Sequence, residues 1–127
     1  MVTLFEYLYR DAGNFKAFGT VALQGGLSAR EQRLLSACFD KDGLFVAEQI
    51  GVPPLYQQLY QWSGGPTPSD HCWHEFLGLK FAPSDEVPVT AFFGGTAKEF
   101  LELVRSITVW DGSLSPHFER VSTLGAY

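Results

Sequence analysis

The chain has few positive charges and no cluster of them. Its 127 residues contain nine lysines and arginines against fourteen aspartates and glutamates, which leaves a net charge of −5. A surface that binds duplex nucleic acid needs several cations to neutralise the phosphates, and no run of basic residues supplies them. We therefore expect no nucleic-acid partner, whereas the charge weakly favours a basic protein partner.

Long apolar runs are also missing, and none approaches the length that spans a membrane. The first residues show neither the basic segment nor the apolar core of a secretion signal. The two cysteines, Cys38 and Cys72, are too few for a disulfide framework. Their apolar surroundings are typical of buried thiols in a reducing compartment. These absences predict a cytoplasmic protein that does not associate with membranes.

Nucleotide-binding loops are absent as well. Glycine pairs occur at 25–26, 64–65 and 94–95, but none has the flanking residues of a P-loop or of a GxGxxG turn. We interpret these pairs as turns, and we expect no cofactor.

Apolar residues, by contrast, are abundant, with 46% hydrophobic and 15% aromatic side chains. A chain of this length buries roughly two-thirds of its unfolded surface, which is enough for a core without disulfide or metal. We therefore predict a single globular domain over residues 1–127, in which residues 109–127 form an irregular tail.

Local patterns predict eight elements in the order β-β-α-β-α-β-β-α. The expected strands are 3–10, 18–24, 44–50, 71–82 and 89–93, and the expected helices are 28–39, 54–62 and 96–107. Capping boxes mark two helix starts, one from Ser28 to Glu31 and one from Thr96 to Glu99. The fold class is therefore α+β, with a four- to five-stranded, mostly antiparallel sheet and about three helices packed on one face. A ferredoxin-like arrangement remains an alternative.

The run from Asp70 to Phe76 is the densest cluster of chemically active side chains. It holds two of the three histidines, one cysteine and two acidic residues, directly before an apolar segment. Read as one strand, residues 71–82 place alternate side chains on two faces. The more apolar face, expected toward the core, carries His71, Trp73, Glu75, Leu77, Leu79 and Phe81.

A metal site is one interpretation of this cluster. His71 and His74 are three residues apart, a spacing common at zinc sites, and Asp70 is a third candidate ligand. Cys72 and His117 are further possible ligands. In a strand, however, the two imidazoles point to opposite faces, so they share an ion only if residues 70–74 still belong to the loop.

Catalysis by acids, bases or a nucleophile is a second interpretation. The acid–base candidates are Asp70, His71, His74, Glu75 and Asp11. Asp11 ends the first strand, and it reaches the histidines only if the two strand ends are neighbours. In strand geometry Asp70, Cys72 and His74 share a face, which permits a thiol–imidazole contact.

A structural explanation competes for Glu75. Arg10, on the first strand, is a plausible partner for a carboxylate on the apolar face. If this pair were buried, replacing Glu75 with alanine would leave the Arg10 cation buried without a partner. The free energy of unfolding would then fall by about 1–3 kcal/mol.

Segments 7–16 and 70–76, with 47–53 between them, resemble stretches in a family of small uncharacterised bacterial proteins. The shared motifs are YLYRDAxN(F/Y)K and DHxWHEF. The resemblance spans nearly the whole chain, and it implies a small bacterial cytoplasmic protein. It implies no activity, cofactor or partner.

Two functions from different classes follow from these patterns. The favoured one is a non-enzymatic binding or interaction module with a protein partner, acting through an acidic, aromatic surface that could include the 54–62 helix. The alternative is a small metal-dependent or acid–base hydrolase that uses the cluster from Asp70 to Glu75, helped by Asp11 or His117.

Overall fold

The computed structural model of the chain describes residues 1–65 and 71–114. The strands are β1 (Val2–Arg10), β2 (Lys16–Gln24), β3 (Leu44–Val46), β4 (Trp73–Ala82) and β5 (Phe92–Thr96). The helices are α1 (Ala29–Ala37), α2 (Tyr56–Ser63) and α3 (Ala97–Ser106). Their order along the chain is the predicted one.

The five strands form one mixed sheet in the spatial order β3-β4-β1-β2-β5. Three of the four neighbouring pairs are antiparallel, and only β2 and β5 run parallel. The aromatic strand β1 lies at the centre, paired with β2 on one side and β4 on the other. The predicted α+β class, with a mostly antiparallel sheet and three helices, is confirmed.

One face of the sheet carries the main core. Phe5, Tyr7 and Tyr9 of β1 point into it, because alternate residues of a strand share a face. Buried side chains from all three helices join the same cluster, among them Leu35 of α1 and Phe100 of α3. The opposite face carries only a small cluster of Val2, Leu4 and Ala22, covered in part by the segment between β4 and β5.

Both predicted capping residues begin a helix, but the full reciprocal capping box forms at α1 and not at α3. At α3 the Thr96 hydroxyl accepts the Glu99 amide and donates to the Glu99 carboxylate. At α1, the Ser28 hydroxyl accepts the Glu31 amide at 3.1 Å, and the Glu31 carboxylate accepts the Ser28 amide at 2.9 Å. Lys98 of α3 also donates to Glu31, so this carboxylate links two helices. The Lys98 hydrogen bond, with the bonds from Ser28, lowers the pKa of Glu31 to about 2.

Two boundaries differ from the sequence prediction in the middle of the chain. The third strand ends at Val46 rather than at residue 50, because Ala47–Ile50 form a 3-10 turn that ends at Gly51 with φ 68°. The second helix begins at Tyr56, so Pro54 is not its first residue as expected. The strand thus ends earlier, and the helix begins later, than local strand or helix propensity indicates.

The last strand lies three residues further along the chain than predicted. The amide of Ala91 bonds to the carbonyl of Pro88, which closes a turn at the expected start of the strand. Val89 is consequently fully exposed, and pairing with β2 begins at Phe92. Proximity to Pro88 explains the delay, since proline cannot donate to a sheet.

The segment after α3 is irregular from residue 107 to 111, yet the protein holds it in place. The Trp110 indole donates to the Cys38 carbonyl at 2.9 Å, and the Gln49 amide group bonds the backbone of Val109 and Asp111. Residues 115–127 of the predicted tail lie outside the described residues. Among the described residues, every helix is too short or too polar to cross a lipid bilayer.

A glycine on β2 gives a direct test of core packing. A Cβ at Gly19 would lie 2.8 Å from the Tyr7 ring and 3.0 Å from Leu55, so Gly19→Ala overpacks the core. We expect it to lower the free energy of unfolding by about 1–3 kcal/mol. Gly78 of β4 is the matched control, because a Cβ there meets no atom within 4 Å. Urea unfolding of both variants checks the prediction, and an equal loss in the two would contradict it.

Candidate functional site

A β-bulge in β4 decides where the side chains of the histidine-rich segment point. Glu6 of β1 is opposite Gly78, but the next residue, Tyr7, is opposite Phe76, so Leu77 is the extra residue. The bulge reverses the alternation on its N-terminal side. The predicted core face is therefore wrong for Trp73 and Glu75, while Leu79 packs against the core as expected.

His74 lies inside the core and is fully buried. Its Nε2 accepts the amide of Leu55, the residue that precedes α2, at 3.0 Å. Because a backbone amide can only donate, Nε2 carries no proton, and Nδ1 donates to the Cys72 carbonyl at 3.1 Å. This imidazole is therefore neutral and connects β4 to the start of α2.

His71 precedes β4, which begins at Trp73, so the strand prediction for residue 71 is wrong. Its ring packs on Tyr9 with centroids 5.1 Å apart, and the His74 ring contacts the same tyrosine at 5.4 Å. The two imidazoles are therefore not on opposite faces of the sheet, as the strand interpretation required. They are nevertheless not equivalent, because His71 is half-buried while His74 is fully buried.

Both ring nitrogens of His71 also bind the backbone. Nδ1 accepts the Trp73 amide at 3.0 Å, and Nε2 lies 2.6 Å from the Arg10 carbonyl, to which it donates. A metal ion bound at either histidine would have to replace one of these hydrogen bonds. Within residues 1–65 and 71–114, no group of three histidine, cysteine, aspartate or glutamate side chains has the geometry to hold a metal ion. Asp70 and His117 lie outside the described residues.

An open groove of about 490 Å³ brings several predicted site residues together at this end of the sheet. It is lined by Arg10, Asp11, Ala12, Asn14, Leu44, His71, Trp73 and Glu75. The ends of β1 and β4 are indeed neighbours, which is the condition under which Asp11 was expected to meet the histidines. Asp11 and His71 share this groove, but His74 does not line it.

The predicted Arg10–Glu75 ion pair forms in this groove. Arg10 Nε lies 3.0 Å from Glu75 Oε2, and the guanidinium also donates to the Asn14 side chain at 2.9 Å. The two charged side chains are 41% and 26% exposed, so solvent screens the pair. The partner was predicted correctly, but the pair is on the face opposite the main core.

Asp11 has a structural task in the turn between β1 and β2. Its carboxylate accepts the Phe15 amide at 3.0 Å, and its backbone carbonyl accepts the Asn14 amide. Asn14 adopts a left-handed conformation with φ 66°, which asparagine tolerates better than most residues. The groove is thus built from side chains that already hold one another and the backbone.

The thiol of Cys72 is poorly suited to nucleophilic chemistry. Burial raises the pKa of Cys72 to about 11, and the negative charge of Glu48 adds to the shift. The thiol therefore stays protonated at neutral pH and is a weak nucleophile. Its neighbour Glu48 accepts the Tyr56 hydroxyl at 2.8 Å, which ties α2 to the turn after β3.

A second surface, which the sequence interpretation missed, lies at the edge of the sheet along β5. Phe92 is 43% exposed and Phe93 is 71% exposed, although both belong to a strand. An apolar cleft of about 350 Å³ opens beside them, between β5, α3 and the turn before Gly51. We call Phe92, Phe93, Gly94 and Leu103, with this cleft, the β5 surface.

The sequence held a signal for this surface. Successive side chains of a strand point to opposite faces, so two adjacent phenylalanines cannot both enter one core. The 54–62 helix was considered as an exposed aromatic patch, and its described aromatic side chains are not one, while the side chain of Trp62 lies outside the described part of the structure. Leu55 and Tyr56 are buried, and Tyr60 packs against the core.

Comparison with known proteins adds no relative: no family model, no curated protein and no solved structure matches the chain. The resemblance to small bacterial proteins that carry the two motifs therefore stays a prediction. The interpretation of this chain depends on its own geometry.

The two histidines are expected to differ in their effect on stability. His74→Ala leaves the Leu55 amide without its acceptor and opens a cavity, so the free energy of unfolding should fall by about 2–5 kcal/mol. His71→Ala removes two hydrogen bonds at a half-exposed position and should cost about 1 kcal/mol. Urea unfolding followed by tryptophan fluorescence measures both. Equal losses would contradict the distinction between a core histidine and a groove histidine.

The exposure of the Arg10–Glu75 pair lowers the cost expected for a buried one. Glu75→Ala should reduce the free energy of unfolding by at most about 1 kcal/mol, because water replaces the lost partner. Glu6→Ala is the matched control, since Glu6 pairs with Lys80 between the same two strands at 3.3 Å. A loss of about 3 kcal/mol or more for Glu75→Ala alone would show that the cation is buried after all.

Proposed function

We propose that the protein is a non-enzymatic protein-interaction module and that its contact surface is the β5 surface. The single observation that carries this proposal is the exposure of Phe92 and Phe93 on an uncharged edge strand. Proteins usually protect such edges with charges, proline or bulges, because an open edge recruits other strands. β5 has neither a charge nor a proline, although its pairing with β2 is irregular between Phe93 and Thr96. The aromatic part of this edge, at Phe92 and Phe93, is therefore the part that supports pairing with another chain.

The shape of the β5 surface suits an added strand. Phe92 pairs with Val21 and therefore lies on the helix-covered side, whereas Phe93 pairs with Ala22 and lies on the opposite side. A partner strand along β5 would find apolar contacts on both faces. On its far side β5 has no strand partner among the described residues, so its backbone supports pairing of this kind.

The cleft offers a place for a side chain of the partner. Its lining is largely apolar and includes Val21, Ile50, Val52, Phe100 and Leu103. Backbone pairing with pockets for alternate side chains is a recurring mode of peptide recognition. A Cβ at Gly94 would lie 2.7 Å from Val21, so glycine is needed for β5 to approach the core this closely.

The alternative function, a small metal-dependent or acid–base hydrolase, has less support. His71, Asp11 and Glu75 share a groove, but each already holds the backbone or Arg10.

As further parts of the proposal we infer a bacterial cytoplasmic location and a protein partner. The free thiols of Cys38 and Cys72 agree with a reducing compartment.

Peptide selection tests the proposed function. Peptides enriched from a random display library on the wild-type protein are measured again by fluorescence anisotropy on two variants. Phe93→Asp should weaken their binding about tenfold or more, because it places a charge in the centre of the contact. Leu77→Asp is the matched control, since Leu77 is 52% exposed on β4, which β1 and β2 separate from β5. A library that yields no binder, or binders indifferent to Phe93→Asp, would contradict the proposal.

A further inference from the structure

The otherwise apolar β5 surface carries one negative charge, that of Glu99. Glu99 lines the cleft together with Phe100 and Leu103, and it is exposed. Its Oε1 accepts the Thr96 hydroxyl at 2.8 Å at the start of α3. No cation pairs with Glu99 among the described residues, in contrast to Glu31, which pairs with Lys98, and Glu102, which pairs with Arg105.

The cleft lining contains no basic residue that could neutralise this carboxylate. The chain as a whole is also acidic, with a net charge of −5. An occupant that brings its own cation would complement the cleft, whereas an acidic occupant would be repelled. The Glu99 carboxylate therefore favours a basic partner segment over an acidic one that is equally apolar.

We propose that the occupant of the β5 surface is an extended segment of another protein, with an apolar side chain and a lysine or arginine two residues away from it on the same face. This inference rests on the proposed function and names the partner's chemistry. In a strand, residues two apart lie on the same face about 7 Å apart. A segment whose apolar side chain enters the cleft can therefore bring a cation on the same face to Glu99, before or after that side chain according to the direction of the strand.

A second copy of the protein fits this description less well. The edge strands that a second copy could offer are Phe92–Thr96 and Leu44–Val46, and neither contains a charged residue that could supply a cation to Glu99. Two copies would also bring together like net charges. The charge thus favours a basic partner segment over self-association.

Three short synthetic peptides with alternating valine and phenylalanine test the inference. They differ only at the position two residues after the central phenylalanine, which is lysine, glutamine or glutamate. Fluorescence anisotropy with the full chain at low salt should show the lysine peptide binding about fivefold to tenfold tighter than the glutamate peptide, because attraction is replaced by repulsion. At high salt the ratio should fall toward one.

Glu99→Gln is the decisive variant. The glutamine oxygen can still accept the Thr96 hydroxyl, and the Glu99 backbone amide still caps on Thr96, so the helix should remain intact while the charge is lost. The lysine preference should then shrink to about twofold or less. Glu102→Gln is the matched control, because it removes a neighbouring exposed charge that does not line the cleft. Its lysine preference should match that of the wild type.

The outcomes separate the inference from the proposed function. Equal binding of the three peptides, lost in Phe93→Asp, would overturn the basic-partner inference and leave the interaction module standing. No binding of any peptide at about 1 mM would overturn both. Sedimentation equilibrium supplies a further check, since a dimer that Phe93→Asp abolishes would assign the β5 surface to a second copy and overturn the inference.

Discussion

The pairing of β4 with the central strand β1 organises the residues on which most of the molecule's chemistry depends. One extra residue in β4, Leu77, shifts the register, so that His74 and Phe76 enter the core while Glu75 faces the opposite side. From the core, His74 accepts the amide that precedes α2, and on the other face Glu75 holds Arg10. The bulge in β4 therefore places His74 where it holds the start of α2, and it places Glu75 in the groove beside Arg10.

Local signals in the sequence predicted the elements well, and the reason is physical. The capping box at Ser28 and the N-cap at Thr96 act within one helical turn, so neighbours along the chain suffice to identify them. The bulge at Leu77 could not be predicted in the same way, because it is a property of two strands together. The orientation of residues 71–76 was consequently wrong, although the Arg10–Glu75 partnership was correct.

In the candidate site, too, the features that depend on residues distant in sequence could not be predicted. The proximity of Asp11 and His71 follows from the antiparallel pairing of β1 and β4, which the strand order alone does not settle. The hydrogen bonds of the imidazoles depend on backbone groups of Arg10, Leu55 and Cys72. Two of these lie far away in sequence, so the structural use of the histidines was hidden from spacing arguments. Residue type shows that an imidazole can bind a metal ion or transfer a proton. The backbone groups around each histidine determine whether its ring nitrogens are already hydrogen-bonded.

The histidine-rich segment and strand β5 thus differ in how much they expose to solvent. The histidine cluster is largely engaged with the protein itself, while Phe92 and Phe93 remain open. That open edge has a consequence for how the free protein behaves in solution. Copies of the chain are kept apart by their shared negative charge, since β5 itself carries none. Acidification toward the isoelectric point reduces this repulsion, so we expect self-association at the exposed β5 edge to increase as the pH falls.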